Sequence, residues 1–133
     1  MPLGPEPTLV NIIRINTSFS AYISAIVTLL YFSIIVPLAE ELAWRGFIFG
    51  KLSSLGLSNG RILVTVSIMF ALSHLPRDMG ILFPISLLPF SFCVTWIRLK
   101  SQNLLLPTLL HASANGIPLI FPISSWIRHL LYG

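Results

Sequence analysis

Between Phe19 and Ala39 the chain carries no charged side chain, and at the end of that run it sets two glutamates side by side. About 20 apolar residues suffice to cross a bilayer. In lipid the backbone must satisfy its own hydrogen bonds, so such a run folds as helix. Three further apolar stretches follow, from about Arg61 to His74, Gly80 to Leu99 and Leu104 to Phe121. The expected fold is all-α: a polytopic integral membrane helix bundle of about four transmembrane helices. Composition supports this, because 55% of the residues are hydrophobic and only 9% are charged, against about 25% charged in soluble domains. A soluble domain of 133 residues has too little interior to hide that much apolar surface.

Residues 1–15 read as a Pro-rich lead-in at the membrane interface, and residues 16–133 as the embedded core. The N-terminus does not follow a secretory-signal pattern. The first span is expected to continue through the glutamate pair to about Gly50, which exceeds the bilayer and calls for tilt or a kink. Pro37 can supply the kink by removing the bond to the Ser33 carbonyl. Lys51–Gly60 reads as a turn, Pro76 as the stop of the second span, and Lys100–Asn103 as a short polar turn. The tail W-I-R-H-L-L-Y mixes apolar and basic residues and suits the interface. Cys93 reads as a small buried packing residue.

The net charge is +4, but the basic residues are dispersed, so nothing points to nucleic acid. Alternating four spans puts Lys51, Arg61, Arg98 and Lys100 on one side and Arg14, Arg77 and Arg128 on the other. The positive-inside rule makes the first side cytoplasmic.

The polar residues inside the spans carry the chemistry. A buried ionisable side chain in a membrane costs roughly 2.5–3.5 kcal/mol on insertion scales, so each one marks a functional hypothesis. Of the four acidic residues, two are the adjacent Glu40 and Glu41. Glu41 and Arg45 are four apart and share a helical face, which makes them an ion pair. Glu40 is rotated by about 100° and finds Ala43 and Trp44 at its own i+3 and i+4 positions. A carboxylate without a counter-charge is the one free to act as a general base. Phe70 and His74 share a face, as do His111 and Asn115. Brought together, these groups suit water activation by Glu40 and His74, and oxyanion stabilisation by His111 and Asn115.

The three segments E-E-L-A-W-R-G, F-A-L-S-H and H-A-S-A-N resemble, in order, the motifs E-E-x-x-x-R, F-x-x-x-H and H-x-x-x-N. These belong to the CAAX-protease and bacteriocin-processing (CPBP or Abi) family of intramembrane endopeptidases. The resemblance covers about residues 36–116, and R-L-K-S-Q-N-L-L-L-P-T-L-L-H also looks like the family's approach to its last histidine. It implies Glu40 as catalytic glutamate, His74 as its partner, and His111 with Asn115 as the oxyanion site. Glu41, Arg45 and Phe70 are then supporting residues.

The leading expectation is therefore a CAAX prenyl protease-like membrane endopeptidase, cutting near the C-terminus or leader of a membrane-associated protein or peptide. The competing reading is a catalytically silent immunity or scaffold protein with the same core. A transporter relay is disfavoured, because it needs no oxyanion donors. No metal is expected, with zinc on Glu40, His74 and His111 as the alternative. The expected partners are a membrane-associated substrate and the bilayer, and the short chain leaves room for an oligomer or a partner subunit.

Overall fold

The computed structural model describes residues 9–75 and 80–132, and every regular element among them is helical. Helices α1 (Leu9–Leu30), α2 (Val36–Glu41) and α3 (Phe49–Ser54) form one continuous rod. Two π-helical stretches, Tyr31–Ile35 and Leu42–Ile48, join them. The helix begins at Leu9, inside the segment whose prolines suggested a lead-in as far as residue 15. α4 (Asn59–Leu72), α5 (Leu82–Ser101) and α6 (Leu105–Tyr132) follow. α6 runs on through the tail to Tyr132. Pro76 and Arg77, read above as a helix stop and a flanking charge, lie outside the described residues.

The π stretches lie on either side of Pro37. The Val36 N–H bonds to the Tyr31 carbonyl, five residues back. That one-residue shift falls directly before Pro37, which has no N–H, and the Phe32 carbonyl is left to a partner on another helix. At the end of the second stretch the Phe49 N–H bonds to the Gly46 and Trp44 carbonyls and passes over Arg45. Each stretch therefore turns one backbone carbonyl away from the helical ladder, toward neighbouring helices.

The turn after α3 is shorter than expected. Gly56 adopts φ +78, and the Leu57 N–H bonds to the Leu52 carbonyl while that of Gly56 bonds to Ser53. This is a glycine-capped helix end with its apolar Leu52–Leu57 contact. Leu52, Leu57 and Leu99 all pack against Phe49, Ile62 and Val66. Lys51, Arg61, Arg98 and Lys100 therefore sit at one end of the bundle. At α5's end Gln102 takes a left-handed φ of 54, and Asn103 Oδ1 caps the N–H groups of Leu105 and Leu106.

Phe19–Ser54, Leu82–Ser101 and Leu105–Ser125 are each long and apolar enough to cross a membrane. α4 is also apolar, but its 14 residues reach only about 21 Å, short of the roughly 30 Å hydrocarbon core. The burial pattern is inverted relative to a soluble protein. Glu41, Arg45, Ser67, Ser91 and Thr95 are fully buried, whereas Phe19, Phe47, Leu82 and Phe121 are exposed. This is a multi-pass integral membrane bundle: apolar surface meets lipid and the polar groups turn inward. Cys93 is exposed rather than buried, because the inward face of α5 is the one carrying Ser91 and Thr95, and Cys93 lies between them in sequence on the opposite side.

Candidate active site

α2 presents its two glutamates to different surroundings. Glu41 is fully buried, with Oε1 accepting from Arg45 Nη1 at 2.9 Å and from His111 Nδ1 at 2.8 Å. Glu40 keeps 24% of its side chain exposed and faces a cavity of about 1070 Å³. α1 and its π stretch line that cavity with Thr28, Tyr31 and Phe32, α5 with Phe83, Leu87 and Phe90, and α6 with Asn115, Pro118 and Leu119. Phe70, His74 and His111 complete the wall around Glu40.

Both imidazoles turn Nε2 toward Glu40. His74 Nε2 lies 4.0 Å from Glu40 Oε1, and His111 Nε2 lies 3.5 Å from Oε2. Their Nδ1 atoms are held elsewhere. His74 Nδ1 is 2.9 Å from the Phe70 carbonyl, which can only accept, so Nδ1 carries a proton and, in the neutral ring, Nε2 is an acceptor. His111 Nδ1 donates to Glu41. His74 lies on the same side as Phe70, as its spacing suggested, although α4 ends at Leu72 and His74 sits in the following turn. Its bond to the Phe70 carbonyl uses one of the acceptors that a helix end leaves free.

Phe70 is 1% exposed and packs against the imidazoles of both His74 and His111. The Arg45 guanidinium lies 4.4 Å from its ring centroid. Phe90 covers another side of His111 in an edge contact of 5.1 Å. These rings fix the imidazole planes.

Asn115 lines the same cavity, and its Nδ2 donates to the Phe32 carbonyl at 3.2 Å. That is the carbonyl left over by the π turn and Pro37. Gly116 beside it allows the approach, since a Cβ there would come within 2.8 Å of Ser33 Oγ. Arg98 supplies the Arg45 carbonyl in the same way, through Nε at 3.1 Å.

The donor types at Glu40, His74 and His111 are ones zinc accepts. Among the described residues, however, no group of three or more His, Cys, Asp or Glu side chains has the arrangement to hold a metal ion.

The profile of the type II CAAX prenyl endopeptidase Rce1-like family matches residues 22–117. The chain belongs to this family. The family is one of membrane-embedded, CAAX protease-like intramembrane peptidases. The chain is also similar to the UPF0177 protein YxdF of Lactococcus lactis subsp. lactis (strain IL1403), with 36% identity over 86 residues. The match covers 62% of this chain and 42% of that relative, so the chain spans less than half of its length. No solved structure matches.

Three residues of this Rce1-like chain escaped the reading of its motifs. Thr95 Oγ1 accepts from Arg45 Nε at 3.1 Å, Ser91 Oγ from Nη2 at 2.8 Å, and Ser67 Oγ lies 3.4 Å from Thr95 Oγ1. The available signal was the i, i+4 spacing of Ser91 and Thr95 in an apolar helix, which puts two hydroxyls on one face.

Proposed function

We propose that the cavity beside Glu40 is the active site of an endopeptidase that hydrolyses a peptide bond in a membrane-associated protein or peptide, near its C-terminus or leader. The observation that carries this is the 4.0 Å gap between two acceptors, Glu40 Oε1 and His74 Nε2. A water placed about 2.8 Å from each subtends roughly 90° across that gap, close to the angle between its own O–H bonds. Glu40 then takes one proton while His74 holds the other hydrogen and aims the oxygen.

Attack on the scissile carbonyl puts negative charge on its oxygen. His111 Nε2 donates to that oxygen when the ring carries both protons, and Glu41 on Nδ1 is the counter-charge for this form. The second N–H of Asn115 Nδ2 is the other donor. Glu40 passes its proton to the departing amine, which balances the step. The apolar cavity walls suit a lipid-embedded or lipidated substrate segment and exclude bulk water.

The test is cleavage of membrane-anchored peptides, prenylated and unprenylated, by purified protein, with Glu40→Gln as control and with and without chelator. Cleavage by wild type that is lost in Glu40→Gln and indifferent to chelator is the expected result. Full cleavage by Glu40→Gln removes Glu40 as base. Loss on chelation moves the chemistry to a metal. No cleavage by wild type leaves a catalytically silent membrane protein.

A further inference from the structure

We propose that Thr95 and Ser91 on α5 are positioning residues, which set the orientation of His111 through Arg45 and Glu41. This rests on the endopeptidase reading for its kinetic consequence and on geometry for everything else.

Arg45 is fully buried, and its Nε, Nη1 and Nη2 each have a partner. Nε donates to Thr95 Oγ1 at 3.1 Å, and Nη2 donates to Ser91 Oγ at 2.8 Å and to the Ser91 carbonyl at 3.3 Å. Only Nη1 turns back along its own helix, to Glu41 at 2.9 Å. A guanidinium is planar, so contacts at Nε and Nη2 determine where Nη1 points. Phe70 covers one face of that plane.

Glu41 Oε1 is thus pinned between Nη1 and His111 Nδ1. Glu41 Oε2 has no protein partner, so the two contacts on Oε1 alone orient the carboxylate. His111 in turn faces Glu40 at 3.5 Å. An ion pair within one helix can adopt several rotamers. The hydroxyls of a second helix select one of them, and with it the direction of His111 Nε2. The clamp lies outside all three motifs and ties α5 to a site built from α2 and α6.

The experiment compares Thr95→Val, which keeps the shape and removes the hydroxyl, with Thr95→Ser, which keeps the hydroxyl. Both are made in the full chain in nanodiscs with ¹⁵N-labelled histidine. The proton resonance of His111 Nδ1–H, held against Glu41, is expected to shift in Thr95→Val and to stay near its wild-type position in Thr95→Ser. On a membrane-anchored peptide, kcat is expected to fall between about 10-fold and 100-fold in Thr95→Val with KM unchanged, since displaced catalytic groups lose rate on that scale. Thr95→Ser restores it. If Thr95→Val does not fold, Ser91→Ala removes one acceptor and is expected to move the same resonance less.

An unmoved resonance in every folded variant overturns the proposal, as does Thr95→Ser behaving like Thr95→Val. A moved resonance with unchanged kcat overturns the catalytic consequence. If wild type cleaves nothing, the endopeptidase reading fails, and the resonance still decides whether the clamp orients His111.

Discussion

Glu40 and Glu41 are neighbours in sequence and opposites in environment. Glu41 is saturated on one oxygen, fully buried and tied to α5 through Arg45. Among the described residues, Glu40 is approached by two imidazole nitrogens, at 3.5 and 4.0 Å, and it opens to the cavity. About 100° of helical rotation separates a side chain held by two partners on one oxygen from one with room for a small reactant. A buried polar network that is fully partnered rigidifies its surroundings. A polar group left partly open in the same low-dielectric interior is where chemistry becomes feasible. The rigid half holds the reactive half in register.

The sharpest way to break this comparison is to neutralise each glutamate in turn. Glu40→Gln preserves size and hydrogen bonding but removes the base. Peptide cleavage is expected to drop to background, while expression, membrane insertion and melting temperature stay at wild-type values. Glu41→Gln is expected to do the reverse. It strands Arg45 without its counter-charge, and breaking such a buried pair costs about 3–5 kcal/mol. Yield and thermal stability measured on the same preparations would show it. If both substitutions gave the same phenotype, the division of labour between the two carboxylates would be wrong.

Asn115→Ala refines the comparison, because Asn115 serves both halves. On the proposed mechanism it loses one oxyanion donor, with a rate loss of roughly 10² to 10³. It also removes the hydrogen bond to the Phe32 carbonyl, and a bond of that kind contributes about 0.5–1.5 kcal/mol. Cleavage kinetics and melting read the two effects separately. Gly116→Ala is expected to be the mildest. Its Cβ would meet Ser33 Oγ at 2.8 Å, and overpacking of that kind costs about 1–3 kcal/mol. Unchanged stability in Gly116→Ala would mean that the Tyr31–Ile35 stretch and α6 are not held at the distance described.

The spans, the Glu41–Arg45 pair and the all-helical class were readable from the sequence because they depend on near neighbours. Apolar runs report what their own residues can face. An i, i+4 charge pair lies on one helix whatever the rest of the chain does, provided that the segment is helical. The separation of Glu40 from Glu41 follows from the same rotation.

What lay beyond the sequence is what depends on register and on distant partners. Pro37 announces that one donor is missing, but only the packing of α6 brings Asn115 to the Phe32 carbonyl. His74 has helical spacing to Phe70, yet α4 stops at Leu72, and the imidazole reaches back to cap a freed carbonyl. Ser67, Ser91 and Thr95 are small hydroxyl residues that a lone helix satisfies against its own backbone; their role appears only once α4 and α5 close around Arg45. The sequence by itself determined which side chains are too polar for lipid and on which helical faces they lie. Tertiary packing decided which of them meet, because a buried donor has several chemically equivalent acceptors within reach and only the crossing of helices selects one.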